Sequence, residues 1–381
     1  MKNPYLNRMI ITDPAEFYGR AREIRRIYSR LSTTRPQCLS IIGERKIGKS
    51  SLLHFLAHTQ NVNQHLDTPE HYAFVLVDLQ GKGDWHPAGF FELVSDTIKA
   101  QIDNVPDLPT ESTNGQANFY EYFRKLIQVV GQKKVKLILL LDEFEAIGRN
   151  TAFDLPFFSF LRSIANNNDV AYVTTSRQDL QKICDHAEVR ESPFFNIFTP
   201  IPLGGFPDAE ARQLIQEPSA QAGAPFGEPE TEFILDLAGN HPFFLQIACD
   251  KTFDEKNRNS NLSQRHYDAI KPAFFSEANN HFDSCWGSAS PDERDVFLRI
   301  VQGEEIETAR QYVLMALEKK GYVVRGPEGP YLFSSGFEDY AWNRSPRAGE
   351  ARPPGGRRKN RPSAETQPSV FGKLRNLFRR P

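Results

Sequence analysis

The sequence has 381 residues, of which 39% are hydrophobic and 25% are charged, and its net charge is −2. This mixture is ordinary for globular domains, so it excludes disordered, fibrous and small disulfide-bonded proteins, and the length suffices for two or three domains. The longest purely apolar run, residues 137–141, is far shorter than the roughly 18 residues that a membrane-spanning helix needs. Four scattered cysteines without a CxxC pair, and an N-terminus without an apolar signal core, favour a cytoplasmic protein with reduced thiols and no transmembrane segment.

The first half of the chain alternates between short apolar runs and amphipathic patterns. The apolar runs predict strands at 37–43, 71–79, 135–141, 170–175 and 198–203. The patterns that separate them predict helices at 49–58, 90–102, 119–130 and 157–164. Strands that alternate with helices indicate the α/β class, with a parallel sheet covered by helices on both faces.

The chain becomes helical after residue 205. Helices are predicted at 208–216, 230–237, 242–254 and 263–276, and two more at 291–301 and 308–320. A hairpin should follow, because short apolar runs at 322–325 and 331–334 flank a turn with the sequence Gly-Pro-Glu-Gly. Two helices followed by a hairpin are typical of a winged helix.

The C-terminal residues differ in charge from the rest of the chain. Residues 344–381 carry eleven basic and two acidic side chains, a net charge of +9, so the other residues sum to −11. Their Arg, Pro, Gly and Ser content predicts disorder, whereas residues 370–378 have apolar side chains at helical spacing. Three interpretations stay open for this basic tail: contact with nucleic-acid phosphates, docking of its amphipathic end on an anionic membrane or in a partner groove, and a solvated linker.

The segment GERKIGKS at 43–50 has the spacing GxxxxGK[ST] and stands between a predicted strand and a predicted helix. Its glycines let backbone N–H groups close around phosphates, Lys49 neutralises phosphate oxygens, and the Ser50 hydroxyl can ligate Mg²⁺. We therefore predict a nucleotide-binding P-loop. Its residues are Gly43, Glu44, Arg45, Lys46, Ile47, Gly48, Lys49, Ser50 and Ser51.

A second motif follows the predicted strand at 135–141, which ends in Asp142 and Glu143. In a P-loop protein the first acid holds Mg²⁺ through water, and the second polarises the water that attacks the γ-phosphate. Alone, the pattern also fits a strand that ends at a solvated acidic turn, but its place after a P-loop favours the catalytic interpretation. We predict Asp142 and Ser50 as metal-binding residues and Glu143 as a catalytic residue.

The strand at 170–175 ends in Thr175, and the cation Arg177 follows shortly after it. Ligands of parallel sheets bind at the carboxyl ends of the strands, so we expect both residues near the γ-phosphate. A solvated strand end is the alternative interpretation.

The order of these motifs resembles that of the STAND P-loop ATPases, signal transduction ATPases with numerous domains, which are close to the AAA-plus and origin-recognition ATPases. Residues 17–23, FYGRARE, resemble the hhGRxxE motif that opens the STAND module, although alanine stands where glutamate is frequent. Residues 239–242, GNHP, resemble the GxP motif at the start of a lid helix, whose proline lies against adenine. The resemblance covers about residues 14–343. It implies that Tyr18, Gly19, Arg20 and Pro242 bind the nucleotide. It also implies that Arg177 reads the γ-phosphate, so we predict Arg177 as a catalytic residue beside Glu143.

Two departures from these families bear on mechanism. The predicted lid helix at 242–254 contains no arginine, so the sensor arginine of AAA-plus machines is missing, which favours a switch over a motor. The last histidine is His281, so the expected winged helix has none to hold an ADP phosphate, as related plant and animal STAND proteins do.

The pattern of elements, the charge distribution and the resemblance together predict four regions: a P-loop NTPase domain with an N-terminal arm at 1–205, a helical lid at 206–285, a winged helix at 286–343, and the basic tail at 344–381. The resemblance implies an ATP-binding switch that uses ATP or ADP with Mg²⁺, hydrolyses ATP slowly, and controls self-association or signalling to a separate effector or sensor protein. The first alternative is a DNA-binding ATPase of the origin-recognition or transposition-regulator type, which uses the winged helix and the tail. The second is a nucleotide-binding scaffold without turnover.

Overall fold

The computed structural model describes residues 2–6, 8–103, 105, 112–113, 116–183, 193–259, 261–327 and 329–350. The chain divides into two compact units, Met1–Ser276 and Glu277–Pro381. The expected domain boundaries after residues 205, 285 and 343 stay predictions. No described helix combines the length with the apolar character that crossing a bilayer demands.

Five of the strands described in the first unit form one parallel sheet in the order β2-β5-β6-β1-β7. They are β1 (Leu39–Gly43), β2 (Tyr72–Asp78), β5 (Lys136–Asp142), β6 (Val170–Ser176) and β7 (Thr199–Leu203). The short strands β3 (Ser112–Thr113) and β4 (Gln116–Ala117) form a separate antiparallel pair. All five predicted strands are present, and the predicted α/β fold class is confirmed.

The position of each strand in the sheet follows from its sequence. The central strand β5 is buried from Leu137 to Asp142, as expected for an apolar run covered on both sides. The edge strand β7 contains Pro200 and Pro202, which lack the N–H donors that an inner strand needs. The register pairs Asp78 of β2 with Asp142 of β5, so these strands end at the same level.

Helices connect the strands, as parallel pairing requires. Those before β7 are α1 (Ala21–Leu31), α2 (Lys49–Ala57), α3 (Thr59–His65), α4 (Pro87–Gln101), α5 (Phe119–Gln132), α6 (Glu145–Gly148), α7 (Leu155–Asn167) and α8 (Leu180–Ile183). Helices α2, α4 and α7 pack against the sheet. Phenylalanine side chains fill much of the core, including Phe90, Phe91, Phe123 and Phe157. Helices α1, α3, α6 and α8 were not predicted from the sequence.

The helical part of the first unit begins after β7. It contains α9 (Asp208–Gln221), α10 (Glu228–Ala238), α11 (Pro242–Arg258) and the first half of α12 (Gln264–Ser288). Helix α11 is longer than predicted. Its terminal Arg258 is exposed and lies 3.6 Å from Glu255.

The second unit contains α13 (Pro291–Gln302), α14 (Gln311–Lys320), the antiparallel strands β8 (Val323–Gly326) and β9 (Gly329–Leu332), and α15 (Ser335–Trp342). Helix α13 begins with a capping box, in which Ser290 and Glu293 satisfy each other's backbone N–H groups, and it ends at Gly303 in the left-handed conformation. The predicted helices and hairpin are therefore present, whereas α15 was not predicted. Residues 351–381, which carry most of the basic tail and its amphipathic end, lie outside the described residues.

Candidate functional site

A cavity of about 650 Å³ opens in the first unit beside the carboxyl ends of β1, β2, β5 and β6. This volume is within the range of sites that enclose small molecules. Its walls come from the N-terminal arm, the loop between β1 and α2, the ends of β2 and β5, and the start of α11. In open parallel sheets, this end of the strands is where ligands bind.

The loop between β1 and α2 has the backbone that phosphate binding requires. Gly48 caps α2 with a φ of +99°, and Lys46 is also left-handed at +64°. At Gly43 a Cβ atom would lie 2.8 Å from Ile47 Cγ2 and 2.9 Å from the Leu203 carbonyl oxygen, so the loop has no room for a side chain there. The loop leads into the N-terminus of α2, where free N–H groups and the helix dipole favour an anion.

Lys49, the first residue of α2, folds its side chain back over the loop. Its Nζ donates to the carbonyl oxygens of Gly43 at 2.9 Å and Glu44 at 3.1 Å. Burial lowers the pKa of Lys49, and the nearby carboxylates of Glu145 and Asp142 oppose this effect. The ammonium group therefore stands at the mouth of the loop, where it can contact a bound phosphate.

The acidic end of β5 is built around Asp142 and Thr175. The Thr175 hydroxyl donates to Asp142 Oδ1, and the Glu143 N–H lies 3.1 Å from the same oxygen and 3.0 Å from Thr175 Oγ1. Asp142 is 7% exposed and faces the cavity. Its carboxylate and the Ser50 hydroxyl are hard oxygen donors on one cavity, so the residues present fit Mg²⁺.

Glu143 adopts a strained conformation at the cavity wall, with a φ of +51°, which is rare for a residue with a side chain. Burial raises the pKa of Glu143, and the carboxylates of Asp142 and Glu145 raise it further. A carboxylate with a raised pKa is a stronger base, so Glu143 is suited to accept a proton from water.

Of the two residues predicted near the γ-phosphate, Arg177 lines the cavity and Thr175 does not. The Arg177 backbone N–H donates to Glu145 Oε1, and its exposed side chain lines the cavity. Thr175 is fully buried and lies outside the cavity lining, so its contact with the site runs through Asp142.

Arg20 lies in the cavity wall next to the P-loop. Its side chain is almost fully buried, donates to the Ile47 carbonyl oxygen at 2.9 Å, and stacks over the Phe206 ring at 4.7 Å. Burial lowers the pKa of Arg20 to about 10, although Glu23 and Glu210 oppose this, so the guanidinium remains charged at neutral pH.

The start of α11 forms another part of the cavity wall. Pro242 is the first residue of this helix, and the next residue, Phe243, lies 5.2 Å below Lys46 Nζ in a cation–π contact. Asn240, just before α11, forms two hydrogen bonds with the backbone of Phe206. Its carbonyl oxygen accepts from the Phe206 N–H at 2.7 Å, and its Nδ2 donates to the Phe206 carbonyl oxygen at 2.9 Å.

The structure brings most of the residues predicted from the sequence to this cavity. Those that line it are Tyr18, Arg20, Arg45, Lys46, Ile47, Gly48, Lys49, Ser50, Ser51, Asp142, Glu143, Arg177 and Pro242. Gly19, Gly43, Glu44 and Thr175 are not among the lining residues.

The N-terminal arm is a wall of the cavity that sequence analysis missed. Residues 8–11 line the cavity, and the Ile11 N–H donates to Ser51 Oγ at 3.1 Å. The arm is anchored on α11, where buried Asp250 accepts from Asn3 Nδ2 at 2.7 Å and from Arg8 at 2.9 Å. Asn3 and Asp250 are 247 positions apart, so no local pattern could have indicated this contact.

Other lining residues were also missed, namely Phe17, Asp78, Gln80, Gly81, Gly83, Glu145, Ala146, Arg149, Asn150, Phe206, Leu214, Phe243 and Gln246. Asp78 and Phe243 had a signal: Asp78 is the polar residue next to the end of the strand predicted at 71–79, and Phe243 follows the GNHP segment.

The parallel sheet, the P-loop at the end of β1 and the acidic pair at the end of β5 define a P-loop NTPase. The family model described as Novel STAND NTPase 2 matches residues 33–305, which is more than half of the chain. The chain belongs to this family of novel STAND NTPases, and the resemblance to STAND ATPases is thereby confirmed. No curated protein sequence shows a significant match.

Solved structures show the same fold. A Walker-type ATPase of Pyrococcus abyssi superposes with a TM-score of 0.57 at 16% identity, over 88% of this chain and 99% of that one. The ORC2 protein of Aeropyrum pernix, in its ADPNP and ADP complexes, superposes with a TM-score of 0.56 at 12% identity, over 89% of this chain and 97% of that one. At these identities the likeness is one of fold.

Proposed function

We propose that the chain binds ATP or ADP with Mg²⁺ in this cavity, hydrolyses ATP slowly, and uses the nucleotide as a switch. One observation carries the proposal. Lys49, Asp142, Glu143 and Arg177 come from separate segments and line one cavity, together with Pro242 of the helical part. Phosphoryl transfer needs these elements together: a phosphate cradle, a metal-binding acid, a residue that orients water, and a cation.

Each residue has a distinct role in this proposal. The loop N–H groups and the Lys49 ammonium bind the phosphates, while Ser50 and Asp142 hold the metal. Mg²⁺, when bound, neutralises phosphate charge and so lowers the barrier to transfer. Glu143 orients and polarises the attacking water, and Arg177 contacts the γ-phosphate.

The positions of the arginines around the cavity support a switch with slow turnover. The arginines that line the cavity are Arg8, Arg20, Arg45, Arg149 and Arg177, and all lie outside α11. Arg258, at the far end of α11, is 72% exposed and does not line the cavity. A nucleotide shifts a two-state protein only through contacts that differ between the states, and Arg177 at the γ-phosphate supplies such a difference between ATP and ADP.

The second unit is proposed to be a winged helix through which a partner is contacted. Its order of two helices and a hairpin supports this interpretation. The outer side of α14 carries Tyr312, which is 67% exposed, and Met315, which is 54% exposed. Exposed apolar side chains suit a protein contact better than DNA phosphates. We therefore favour self-association or signalling to a separate cytoplasmic protein over the DNA-binding alternative.

Titration with a fluorescent ATP analogue tests the nucleotide site. We expect Lys49→Ala to weaken binding at least about tenfold, because a charge-assisted contact to phosphate is lost. The matched control is Lys133→Ala, which removes the same charge at an exposed position after α5, and it should bind like the wild type. Wild-type affinity in Lys49→Ala would overturn the proposed site.

A further inference from the structure

A carboxylate from the helical part caps a helix of the sheet domain. Glu210, in the first turn of α9, accepts from the backbone N–H of Arg20 at 2.7 Å through Oε2 and from that of Ala21 at 3.1 Å through Oε1. Helix α1 begins at Ala21, and the side chain of its own N-cap residue, Arg20, makes no capping hydrogen bond. Glu210, 190 positions away, therefore does the work of an N-cap side chain.

The backbone at Gly19 leaves room for the contact between Glu210 and the start of α1. Gly19 has a φ of +76°, and a Cβ atom there would lie 2.9 Å from both Glu210 Oε2 and Phe206 Cε1. The glycine thus lets the backbone approach the carboxylate and the ring closely. The two hydrogen bonds that Glu210 accepts are charge-assisted and lie at the positive end of the α1 dipole. They are therefore stronger than the hydrogen bonds of an uncharged N-cap side chain.

Arg20 extends this contact to the P-loop. Its backbone is held by Glu210, while its side chain donates to the Ile47 carbonyl oxygen and stacks on Phe206. Arg20, Ile47 and Phe206 all line the cavity, whereas Glu210 does not. One residue therefore joins the helical part to the loop that holds phosphates.

We propose that Glu210 is a positioning residue of the nucleotide site. It holds the Gly19–Arg20 backbone so that the Arg20 guanidinium keeps the P-loop in the conformation that binds phosphate. Movement of α9 away from α1 then loosens the P-loop, so the helical part controls how long a nucleotide stays bound. This inference rests on the nucleotide binding proposed above.

The test compares five full-length proteins: the wild type, Glu210→Gln, Arg20→Ala, the double variant, and Glu217→Gln. Glu217 is an exposed glutamate on the same helix, so its change removes the same charge without touching Arg20. Release of a fluorescent ADP analogue is followed by stopped flow. We expect Glu210→Gln to release it about tenfold faster, since an amide oxygen replaces a carboxylate that accepts two bonds. Glu217→Gln should match the wild type.

Coupling between Glu210 and Arg20 separates positioning from general stability. If Glu210 acts through Arg20, the double variant releases nucleotide no faster than Arg20→Ala alone. Rates that multiply in the double variant would overturn the proposal. So would a release rate in Glu210→Gln equal to that in Glu217→Gln.

Hydrogen exchange without nucleotide gives a second, independent readout. The amides at 44–49 should exchange faster in Glu210→Gln and Arg20→Ala than in the wild type and Glu217→Gln. Equal exchange in all four proteins would refute the inference. A wild type that binds no nucleotide, but whose loop responds in this way, would refute the proposed function and leave the role of Glu210 intact.

Discussion

Two neighbouring threonines of β6 are expected to respond differently to the same substitution. Thr175 is fully buried, donates to Asp142 Oδ1 and lies 3.0 Å from the Glu143 N–H. Thr174 is equally buried, but its Oγ1 has no hydrogen-bond partner in the described part of the chain. Valine replaces a threonine hydroxyl by a methyl group of similar size, so each change isolates one hydroxyl.

The expected magnitudes follow from these contacts. Thr175→Val removes a hydrogen bond to a charged group, which costs about 2 kcal/mol of unfolding free energy. Thr174→Val removes a buried hydroxyl without a partner, so the free energy of unfolding should stay unchanged or rise by about 1 kcal/mol. Urea unfolding followed by circular dichroism measures both, and the difference between the two variants is the quantity of interest.

The same pair tests the function of Asp142. Thr175→Val removes one of the two hydrogen bonds that Asp142 Oδ1 accepts and so holds the carboxylate less firmly. We therefore expect Mg²⁺ to raise nucleotide affinity less in this variant than in the wild type, whereas Thr174→Val should retain the full effect of Mg²⁺. The reasoning would be refuted if the two variants were equally stable, or if Thr174→Val were the less stable protein.

Two further predictions concern catalysis and the P-loop. Glu143→Gln should retain nucleotide binding and lower the rate of hydrolysis by about 10²-fold or more. Burial raises the pKa of Glu143 above its ordinary 4.5, and only the ionised form accepts a proton, so the wild-type rate should fall as the pH decreases through that raised pKa. A rate that falls only at or below pH 4.5 would contradict this role of Glu143. Gly43→Ala should destabilise the protein by about 1–3 kcal/mol and weaken nucleotide binding, since its Cβ would lie 2.8 Å from Ile47 and 2.9 Å from Leu203. Gly131→Ala is the matched control, because a Cβ atom at this position in helix α5 would meet no described atom within 4 Å apart from its chain neighbours and the backbone of its own helix. It should be neutral or stabilising by about 0.5–1 kcal/mol, and equal melting temperatures for the two variants would count against the steric argument.

The strands and the central chemistry of the site could be predicted because their signals are local. Each strand is a short apolar run between polar segments, and the ends of β1 and β5 carry residue types that phosphate and metal chemistry require. Parallel pairing then places those ends side by side, as the register of Asp78 with Asp142 shows.

The other walls of the cavity depend on contacts between distant segments. The N-terminal arm lies in place through Asn3 and Asp250, and the Gly19–Arg20 segment through Glu210. In the sequence, neither Asp250 nor Glu210 can be distinguished from any other acidic residue of a helix. The hydrogen bond from Thr175 to Asp142 could not be predicted for a similar reason: alternation along a strand predicts which side chains share a face, but this bond depends on the neighbouring strand.

The most direct test of the switch is hydrogen exchange of the full chain, saturated either with Mg-ADP or with Mg²⁺ and a non-hydrolysable ATP analogue. The account predicts different exchange in α9 and α11 between the two states, because the γ-phosphate adds contacts that favour one arrangement of the helical part. It also predicts that Lys49→Ala shows no such difference. Identical exchange in the two saturated states of the wild type would contradict the proposed switch.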